Sequence, residues 1–261
     1  MRSVLTIAGS DSSGGAGIQA DIKAIAAHHL FAQSVITALT AQNTTGVMDV
    51  MDVPPEFITA QIDAVFADIR PVAVKVGMVS SPGAARAIAE GLVRWEAADI
   101  VVDPVMVATS GSALAGDAAV AAVREQLIPL ATVITPNRDE AQVLAGRPIA
   151  DAADQEAAAA AIARDTGAAV LVKGGHNAND ANDVLALPTG EVRWFEGQRI
   201  SNPNTHGTGC TLSSAIACGL AQGQSLPEAI CSAKRYLEGA LAAQLDLGHG
   251  SGPMDHLYLL G

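Results

Sequence analysis

The chain is poor in aromatic residues and cysteines, and each shortage excludes a class of protein. Only 3% of its 261 residues are aromatic, so its core must be built from Ala, Val, Leu and Ile. Its three cysteines, Cys210, Cys218 and Cys231, lack Cys-x-x-Cys spacing, which argues against a disulfide framework and a zinc site. Such sparse cysteines are typical of a reducing compartment, and we expect Cys218 and Cys231 to be inert core thiols.

Basic residues and long apolar runs are also scarce. Fifteen Lys and Arg residues against 27 Asp and Glu residues give a formal net charge of −12, which argues against nucleic acid and anionic membrane surfaces as partners. No run approaches the roughly 20 apolar residues that span a bilayer. Ser10 and Asp11 interrupt the first apolar run too early for a signal peptide. The sequence therefore predicts a cytoplasmic protein with no membrane partner.

Short apolar segments alternate with helical segments along the whole chain. The predicted strands are residues 4–8, 35–39, 72–76, 100–102, 132–134 and 169–172, and the predicted helices are 15–27, 54–67, 82–95, 117–127, 137–144, 151–165, 210–221 and 227–243. This alternation predicts a mainly parallel sheet covered on both faces. Residues 182–195, around Pro188-Thr189-Gly190, predict an antiparallel hairpin. Since no linker or repeat is visible, we expect one domain over residues 1–261.

Residues 204–211, with the sequence NTHGTGCT, carry the strongest functional signal. Gly207 and Gly209 flank Thr208, Cys210 follows, and a helix of small residues begins there. Glycines just before a helix let successive N–H groups point at one spot, where the helix dipole adds partial positive charge. The motif predicts an anion hole with a thiol at its rim. Such a hole suits phosphoryl transfer, because charge spreads over the transferred oxygens in the transition state.

Candidate residues follow the predicted strands, at the edge where parallel sheets bind ligands. These segments are Gly9-Ser10-Asp11, Gly77-Met78, Asp103, Thr135-Pro136-Asn137 and Lys173-Gly174-Gly175. The glycines of residues 9–17 fit neither GxGxxG nor the P-loop pattern, so a dinucleotide or P-loop fold is poorly supported. That loop is either a tight turn or a close approach of the backbone to a small molecule.

Two polar residues near the first loop keep two interpretations each. Asp21 lies one helical turn beyond Gly17, so it either accepts a hydrogen bond from a substrate hydroxyl or is a solvated helix acid. The amide of Gln42 offers both a donor and an acceptor, which suits the edge of a heteroaromatic ring. Turn chemistry is the alternative explanation of Gln42.

Four more residues suggest a phosphate and metal site. Asn137 and Glu140 lie three residues apart at a helix start, and with Asp103 they offer oxygen ligands that suit Mg²⁺ through waters. A capping box explains Asn137 and Glu140 equally well. Lys173 either meets a phosphate as a point charge or is a solvated lysine.

The C-terminal stretch at residues 248–252, with the nearby His256, is glycine-rich, and we expect it to be a mobile tail.

In this order the segments resemble the hydroxymethylpyrimidine/phosphomethylpyrimidine kinases of thiamine biosynthesis, in the ribokinase-like superfamily. The matching segments lie at residues 8–11, 13–21, 37–39, 41–44, 76–78, 103–106, 135–137 with 140–141, 173–176 and 205–211. The resemblance covers residues 6 to 241. It implies a three-layer α/β/α fold with a mostly parallel central sheet, ATP and Mg²⁺ as cofactors, a small-molecule substrate, and usually a homodimer.

The resemblance also implies residue roles. The residues that resemble the pyrimidine pocket are Gly9, Asp21, Gln42, Met78 and Val105. Asp103 and Glu140 resemble the magnesium-associated acids, and Asn137, Lys173 and Thr208 resemble triphosphate contacts. Gly207, Thr208, Gly209 and Cys210 resemble the anion hole, where Cys210 replaces the aspartate base typical of sugar kinases. Lys173 and the hole residues Gly207, Gly209 and Cys210 form the catalytic group.

A thiol in place of a carboxylate suits a kinase that phosphorylates an alcohol and then its phosphate monoester. An aspartate about 4 Å from the accepting phosphate would repel each unit of charge by roughly 4 kcal/mol at an effective dielectric constant of 20. A neutral thiol avoids that repulsion in the second transfer. For the first transfer we expect the helix N-terminus to lower the pKa of Cys210.

Other functions stay open on the sequence alone. A pyridoxal or pyridoxine kinase of the same superfamily is the nearest, because both rings are small heteroaromatics with a hydroxymethyl arm. Thr40 and Thr109 keep it open, since valine and lysine are frequent at those family positions. A sugar kinase is disfavoured because Cys210 stands where aspartate is expected. A non-catalytic pyrimidine or nucleotide sensor is disfavoured because sensing needs no site for moving charge.

Overall fold

The computed structural model describes residues 1–106, 116–175 and 181–259 of the chain. Within these ranges its strands are β1 Ser3–Asp11, β2 Phe31–Asn43, β3 Gly46–Asp52, β4 Ala73–Val76, β5 Ile100–Val102, β6 Val133–Ile134, β7 Ala169–Val172, β8 Asp183–Ala186 and β9 Val192–Phe195. The α-helices in the same ranges are α1 Gly17–Ala27, α2 Pro55–Asp68, α3 Pro82–Arg94, α4 Asp117–Ala122, α5 Arg138–Ala145, α6 Ala152–Thr166, α7 Thr208–Ala221 and α8 Leu226–Ala242.

All of the strands named above join one sheet, in the order β3-β2-β1-β4-β5-β6-β7-β8-β9. Neighbours from β2 to β7 run parallel, whereas β3, β8 and β9 are antiparallel additions at the two sides. The predicted mostly parallel sheet and the hairpin are therefore confirmed. Because parallel strands end at one edge, the loops after β1, β4, β5, β6 and β7 meet there.

Aliphatic side chains of alternate strand residues pack against a helix layer on each face. On one face Leu5 and Val74 pack in a cluster with residues of α2, α3 and α6. On the other face Val4 and Ala73 pack in a cluster with residues of α1, α7 and α8. The alternation of a strand places Lys75 on this second face, beside α1 and α7. The predicted three-layer α/β/α architecture is confirmed.

Two elements differ from those that the sequence predicts. Strand β3 is not predicted, because its residues from 48 to 52 are exposed and lack the pattern of a buried strand. The helix expected over residues 117–127 is regular only to Ala122. It continues as a π-helical turn at Val123–Leu127 and a 3₁₀ turn at Ile128–Leu130, where Pro129 lacks the N–H that a longer α-helix would need.

The segment at residues 248–256 is packed, so its prediction as a mobile tail is wrong. The N–H of Gly252 donates to Asn204 Oδ1 over 3.0 Å, and Met254 is buried. His256 is only 2% exposed and its Nε2 lies 2.9 Å from Thr211 Oγ1. The glycines of this segment therefore allow close contacts, with Thr44 at Gly248 and Gly250 and with Asn204 at Gly252. None of the helices within the described ranges has the length and apolar character to cross a lipid bilayer.

Candidate active site

A lysine, an aspartate and a glycine from three different elements meet at the start of α7. Lys173, which follows β7, donates from Nζ to Asp103 Oδ1 over 2.8 Å, and Thr135 donates to the same oxygen over 3.0 Å. A Cβ at Gly209 would lie 3.3 Å from both Asp103 Oδ2 and Lys173 Nζ. The close approach of Lys173 to the first turn of α7 therefore depends on the missing side chain of Gly209. The alternative of a solvated Lys173 is wrong, since its side chain is only 15% exposed.

Charge pairing fixes the protonation of this group. Burial alone would raise the pKa of Asp103, but Lys173 and Lys75 outweigh it and hold that pKa below its ordinary value. Burial would lower the pKa of Lys173, but Asp103 and Glu140 outweigh it and raise that pKa. Lys173 is consequently a cation and Asp103 an anion at neutral pH.

Asn137 and Glu140 form the capping box that was one of their two interpretations. Asn137 Oδ1 accepts from the Glu140 N–H over 2.9 Å, and Glu140 Oε2 accepts from the Asn137 N–H over 2.7 Å. A backbone bridge places Asn137 beside Lys173. Burial raises the pKa of Glu140 to about 7 although Lys173 opposes the shift. The box thus holds a buried carboxyl group near enough to Lys173 and Asp103 for both charges to act on its pKa.

The N-terminus of α7 has the conformation that an anion hole needs. Gly207 caps the helix with φ of +85°, a left-handed conformation that favours glycine. A Cβ there would also overlap the carbonyl oxygen of Gly15. Thr208, Gly209 and Cys210 follow as half-buried residues of the first turn, where N–H groups lack partners within the helix.

The thiol of Cys210 has a raised pKa, contrary to our expectation. Burial raises the pKa of Cys210 to about 11, and Lys75 offsets only part of that rise. The backbone N–H of Gly17 lies within hydrogen-bond reach of the sulfur. Withdrawal from water therefore outweighs the positive charge of Lys75, and the thiol is neutral at pH 7. Cys218 is buried as expected, whereas the expectation of a core thiol at Cys231 is wrong because that residue is exposed.

Asp21 lies below the site in a fully buried ion pair. Lys75 Nζ donates to both of its oxygens, over 3.0 and 2.8 Å, and neither side chain is exposed. Thr6 Oγ1 on β1 and Ser214 Oγ on α7 donate to the same carboxylate over 2.6 and 2.7 Å. The solvated-acid interpretation is wrong. Neither oxygen of Asp21 is exposed to a substrate hydroxyl. The geometry instead lets Asp21 hold α7 in place through Ser214.

The residues expected around the ring lie near the ends of β1, β2, β4 and β5. Gly9 faces Met78, since a Cβ at Gly9 would lie 3.1 Å from the Met78 sulfur. Gln42 is half-buried, and its amide lies 3.2 Å from Thr40 Oγ1. Val105 is half-buried and lines a small apolar pocket with Met106. Thr109 lies outside the described residues.

Sequence reasoning missed three buried charged or ionisable residues of this region. Lys75 had a readable signal, since a lysine inside the apolar run of β4 needs a buried partner. Asp11 and His206 lie in the quoted motifs, but nothing in their spacing shows that His206 Nε2 meets Asp11 Oδ2 at 2.8 Å. Among the described residues no group of three or more His, Cys, Asp or Glu has metal-site geometry.

Comparison with known proteins shows the family of this chain. A sequence model of the family described as phosphomethylpyrimidine kinase matches residues 11–255. The chain belongs to this family. Members are kinases, so the chain is a phosphotransferase, and the resemblance noted from the motifs is confirmed.

Individual relatives cover nearly the whole chain. The hydroxymethylpyrimidine/phosphomethylpyrimidine kinase of Rhizobium meliloti is 53% identical over 97% of this chain and 96% of its own. The crystal structure of phosphomethylpyrimidine kinase from Clostridium difficile superposes with a TM-score of 0.82 at 43% identity, covering 91% of this chain and 98% of that one. Pyridoxal kinase from Staphylococcus aureus, in complex with AMP-PCP and pyridoxal, gives 0.89 at 31% identity, covering 99% and 94%.

Proposed function

We propose that this chain transfers a phosphoryl group from ATP to 4-amino-5-hydroxymethyl-2-methylpyrimidine and then a second one to the monophosphate. The observation that carries the proposal is the meeting of Lys173, Asp103 and the Gly209 backbone at the N-terminus of α7. A cation and the N–H groups at a helix N-terminus stabilise the charge that develops on a migrating phosphoryl group. We propose one catalytic domain over the whole chain.

Lys173 and the first turn of α7 hold the transferred group in this proposal. Lys173 supplies a positive point charge, and Asp103 sets its direction through their 2.8 Å contact. Asn137 and Thr208 flank the same space and contact the triphosphate. Gly207 and Gly209 supply the conformation and the room that let N–H groups approach the phosphate oxygens.

The acids at this edge fit a magnesium ion. Asp103 and Glu140 offer the hard oxygen donors that Mg²⁺ prefers, and two acids suffice when phosphate oxygens and waters complete the shell. In the proposal Asp103 and Glu140 hold Mg²⁺ with the nucleotide. When bound, the ion neutralises negative charge between the phosphates. Glu140 has a pKa of about 7 and would lose its proton on binding Mg²⁺.

Cys210 acts as a neutral group at the acceptor position. With a pKa of about 11, the thiol does not remove the proton of the acceptor alcohol at pH 7. A loose phosphoryl transfer needs little proton removal before the new P–O bond forms. The proton of the hydroxyl then passes to a phosphate oxygen or to water. In the second transfer, an uncharged thiol does not repel the anionic phosphate of the acceptor.

Gly9, Gln42, Met78 and Val105 bind the pyrimidine in this proposal. The Met78 sulfur and the Val105 side chain provide soft apolar surface for the ring faces. Gln42 offers a hydrogen-bond donor and an acceptor to the ring edge. Asp21 acts indirectly, because its contact with Ser214 fixes α7 over Lys75.

A pyridoxal kinase is the second candidate. Thr40 favours it, because this hydroxyl lies beside Gln42 at the expected ring edge. An assay of turnover with Mg-ATP separates the two candidate functions. The acceptors, each tested in turn, are the pyrimidine alcohol, its monophosphate, pyridoxal and ribose. We expect ADP release with the highest kcat/KM for the two pyrimidines. A preference for pyridoxal, or no turnover with any pyrimidine, would contradict the proposal.

The exposed edge of the sheet is the proposed contact of a homodimer. Strand β3 pairs with β2 on one side, and it exposes Met48 at 68% and Met51 at 62%. An apolar edge strand is a ready surface for a second chain. Light scattering after gel filtration tests this proposal, with Met48→Lys/Met51→Lys expected to elute as a monomer. Equal masses for both proteins would exclude this edge.

A further inference from the structure

The imidazole of His206 makes two contacts through one nitrogen atom. Its Nε2 lies 2.8 Å from Asp11 Oδ2 and 3.3 Å from the amide nitrogen of Gln42. His206 and Asp11 are 6% and 3% exposed. The pair joins Asp11, the last residue of β1, to the residue just before Gly207, so it connects the strand that carries Gly9 with the N-terminus of α7.

The carboxylate decides where the imidazole proton is. Asp11 accepts from the N–H groups of Ser13, Gly15 and Ala16, and from the Ser13 hydroxyl. Burial opposes ionisation of Asp11, but the bonds from His206, Ser13 and Ala16 outweigh it and lower its pKa to about 2. An ionised carboxylate only accepts hydrogen bonds, so Nε2 must carry a hydrogen and donate it.

This proton creates a conflict at Gln42. An N–H on His206 would face the NH₂ group of Gln42, two donors at 3.3 Å. At the other end of the amide, the single hydrogen of Thr40 Oγ1 would have to serve both Ser10 O at 3.0 Å and Gln42 Oε1 at 3.2 Å. Exchange of the amide oxygen and nitrogen removes the contact between two donors and leaves the Thr40 hydrogen to Ser10 O alone, while the His206 N–H is shared between Asp11 Oδ2 at 2.8 Å and the Gln42 amide at 3.3 Å. His206 then donates to the amide oxygen as well, and the amide nitrogen donates to Thr40.

We infer that His206, held by Asp11, is a positioning residue that fixes the Gln42 amide with its oxygen toward His206 and its nitrogen toward Thr40. In this orientation one N–H and one oxygen lone pair of the amide remain for a ligand. A donor beside an acceptor matches a ring nitrogen beside an exocyclic amino group, as amides do at adenine. The inference deepens the proposed function by naming what sets the preference for an aminopyrimidine edge.

Binding of two ring compounds tests this inference. Calorimetry would compare the pyrimidine alcohol with its analogue that lacks the 4-amino group, in wild-type protein and in His206→Phe. We expect wild-type protein to favour the amino compound at least tenfold and His206→Phe to lose that ratio, with Thr40 and Gln42 unchanged. His206→Gln, whose amide can donate to Asp11, should restore part of it. An unchanged ratio in folded His206→Phe would overturn the inference.

A control and a second readout keep the test decisive. His256→Phe removes another buried histidine of this region, which contacts Thr211 rather than Gln42, so it should lower Tm and leave the ratio unchanged. If His206→Phe does not fold, the ¹⁵N spectrum of wild-type His206 decides, and an unprotonated Nε2 overturns the inference. Because binding is measured without nucleotide, absence of kinase turnover would contradict the proposed function and leave this test standing.

Discussion

Removal of one partner of the buried Lys75–Asp21 pair should destabilise the protein far more than removal of a surface charge. Both side chains are completely buried, and Thr6 and Ser214 are the other donors to the carboxylate. Lys75→Met leaves a buried anion with two hydroxyl donors, and we expect a loss of about 3–5 kcal/mol in the free energy of unfolding. Asp21→Asn should cost a similar amount, because it leaves a buried cation.

The double variant Lys75→Met/Asp21→Asn makes the expectation quantitative. It removes both charges and keeps an amide oxygen for Thr6 and Ser214, so its expected loss is about 1–3 kcal/mol, mainly from an unpaired amide N–H. The two substitutions should therefore be strongly non-additive, with a coupling energy of at least about 3 kcal/mol.

Urea unfolding followed by circular dichroism measures these values, provided that the m-values agree. Arg94→Met is the matched control, because Arg94 and its partner Asp63 are 46% and 43% exposed. That variant should lose less than about 1 kcal/mol. Additive losses in the Lys75 and Asp21 variants would refute the reasoning, since each charge would then be satisfied without the other.

Three further predictions concern catalysis and pH. Lys173→Ala should lower kcat at least tenfold and leave pyrimidine binding nearly unchanged. Steady-state kinetics measures kcat and calorimetry measures binding. Unchanged turnover would remove Lys173 from the mechanism. Cys210→Asp should slow the second transfer more than the first. Separate assays with the alcohol and with the monophosphate measure the two rates. An intact second transfer with a faster first transfer would exclude charge repulsion as the reason for the thiol. Burial lowers the pKa of His256 to about 4 from an ordinary 6.5, so the unfolded chain takes up a proton between these values and the native chain does not. Stability should then fall as pH drops from about 6.5 to about 4, by up to roughly 3 kcal/mol; urea unfolding across that range tests this, and an equally steep fall in His256→Gln would contradict it.

The sequence predicts most of the sheet because the patterns that mark each strand lie within a few neighbouring residues. Apolar runs such as residues 100–102 end in a polar or glycine residue, and parallel topology then gathers those residues at one edge. The meeting of Asp103, Lys173 and Gly209 follows from that rule together with the glycines at the start of α7. The capping box of Asn137 and Glu140 is equally local, and the structure contains it.

Burial and long-range pairing are the parts that local patterns do not contain. Asp21 looks like a surface acid on α1 until Lys75 and Ser214 are seen to enclose it. The pKa of Cys210 depends on burial and on the charges of Lys75, Asp21 and Asp103, which come from other parts of the chain and which the motif does not show. His206 and Asp11 are 195 residues apart in the chain.

The packed segment at residues 248–256 has a consequence for truncated forms of the chain. It contacts residues 204–211 through Asn204 and Thr211, and it follows all the strands named above and α8 in the sequence. A chain cut before residue 248 would therefore keep the residues of the sheet and of both helix layers and lose these supports. We expect such a chain to lose activity before it loses its secondary structure, because the segment that leads into α7 is then less firmly held.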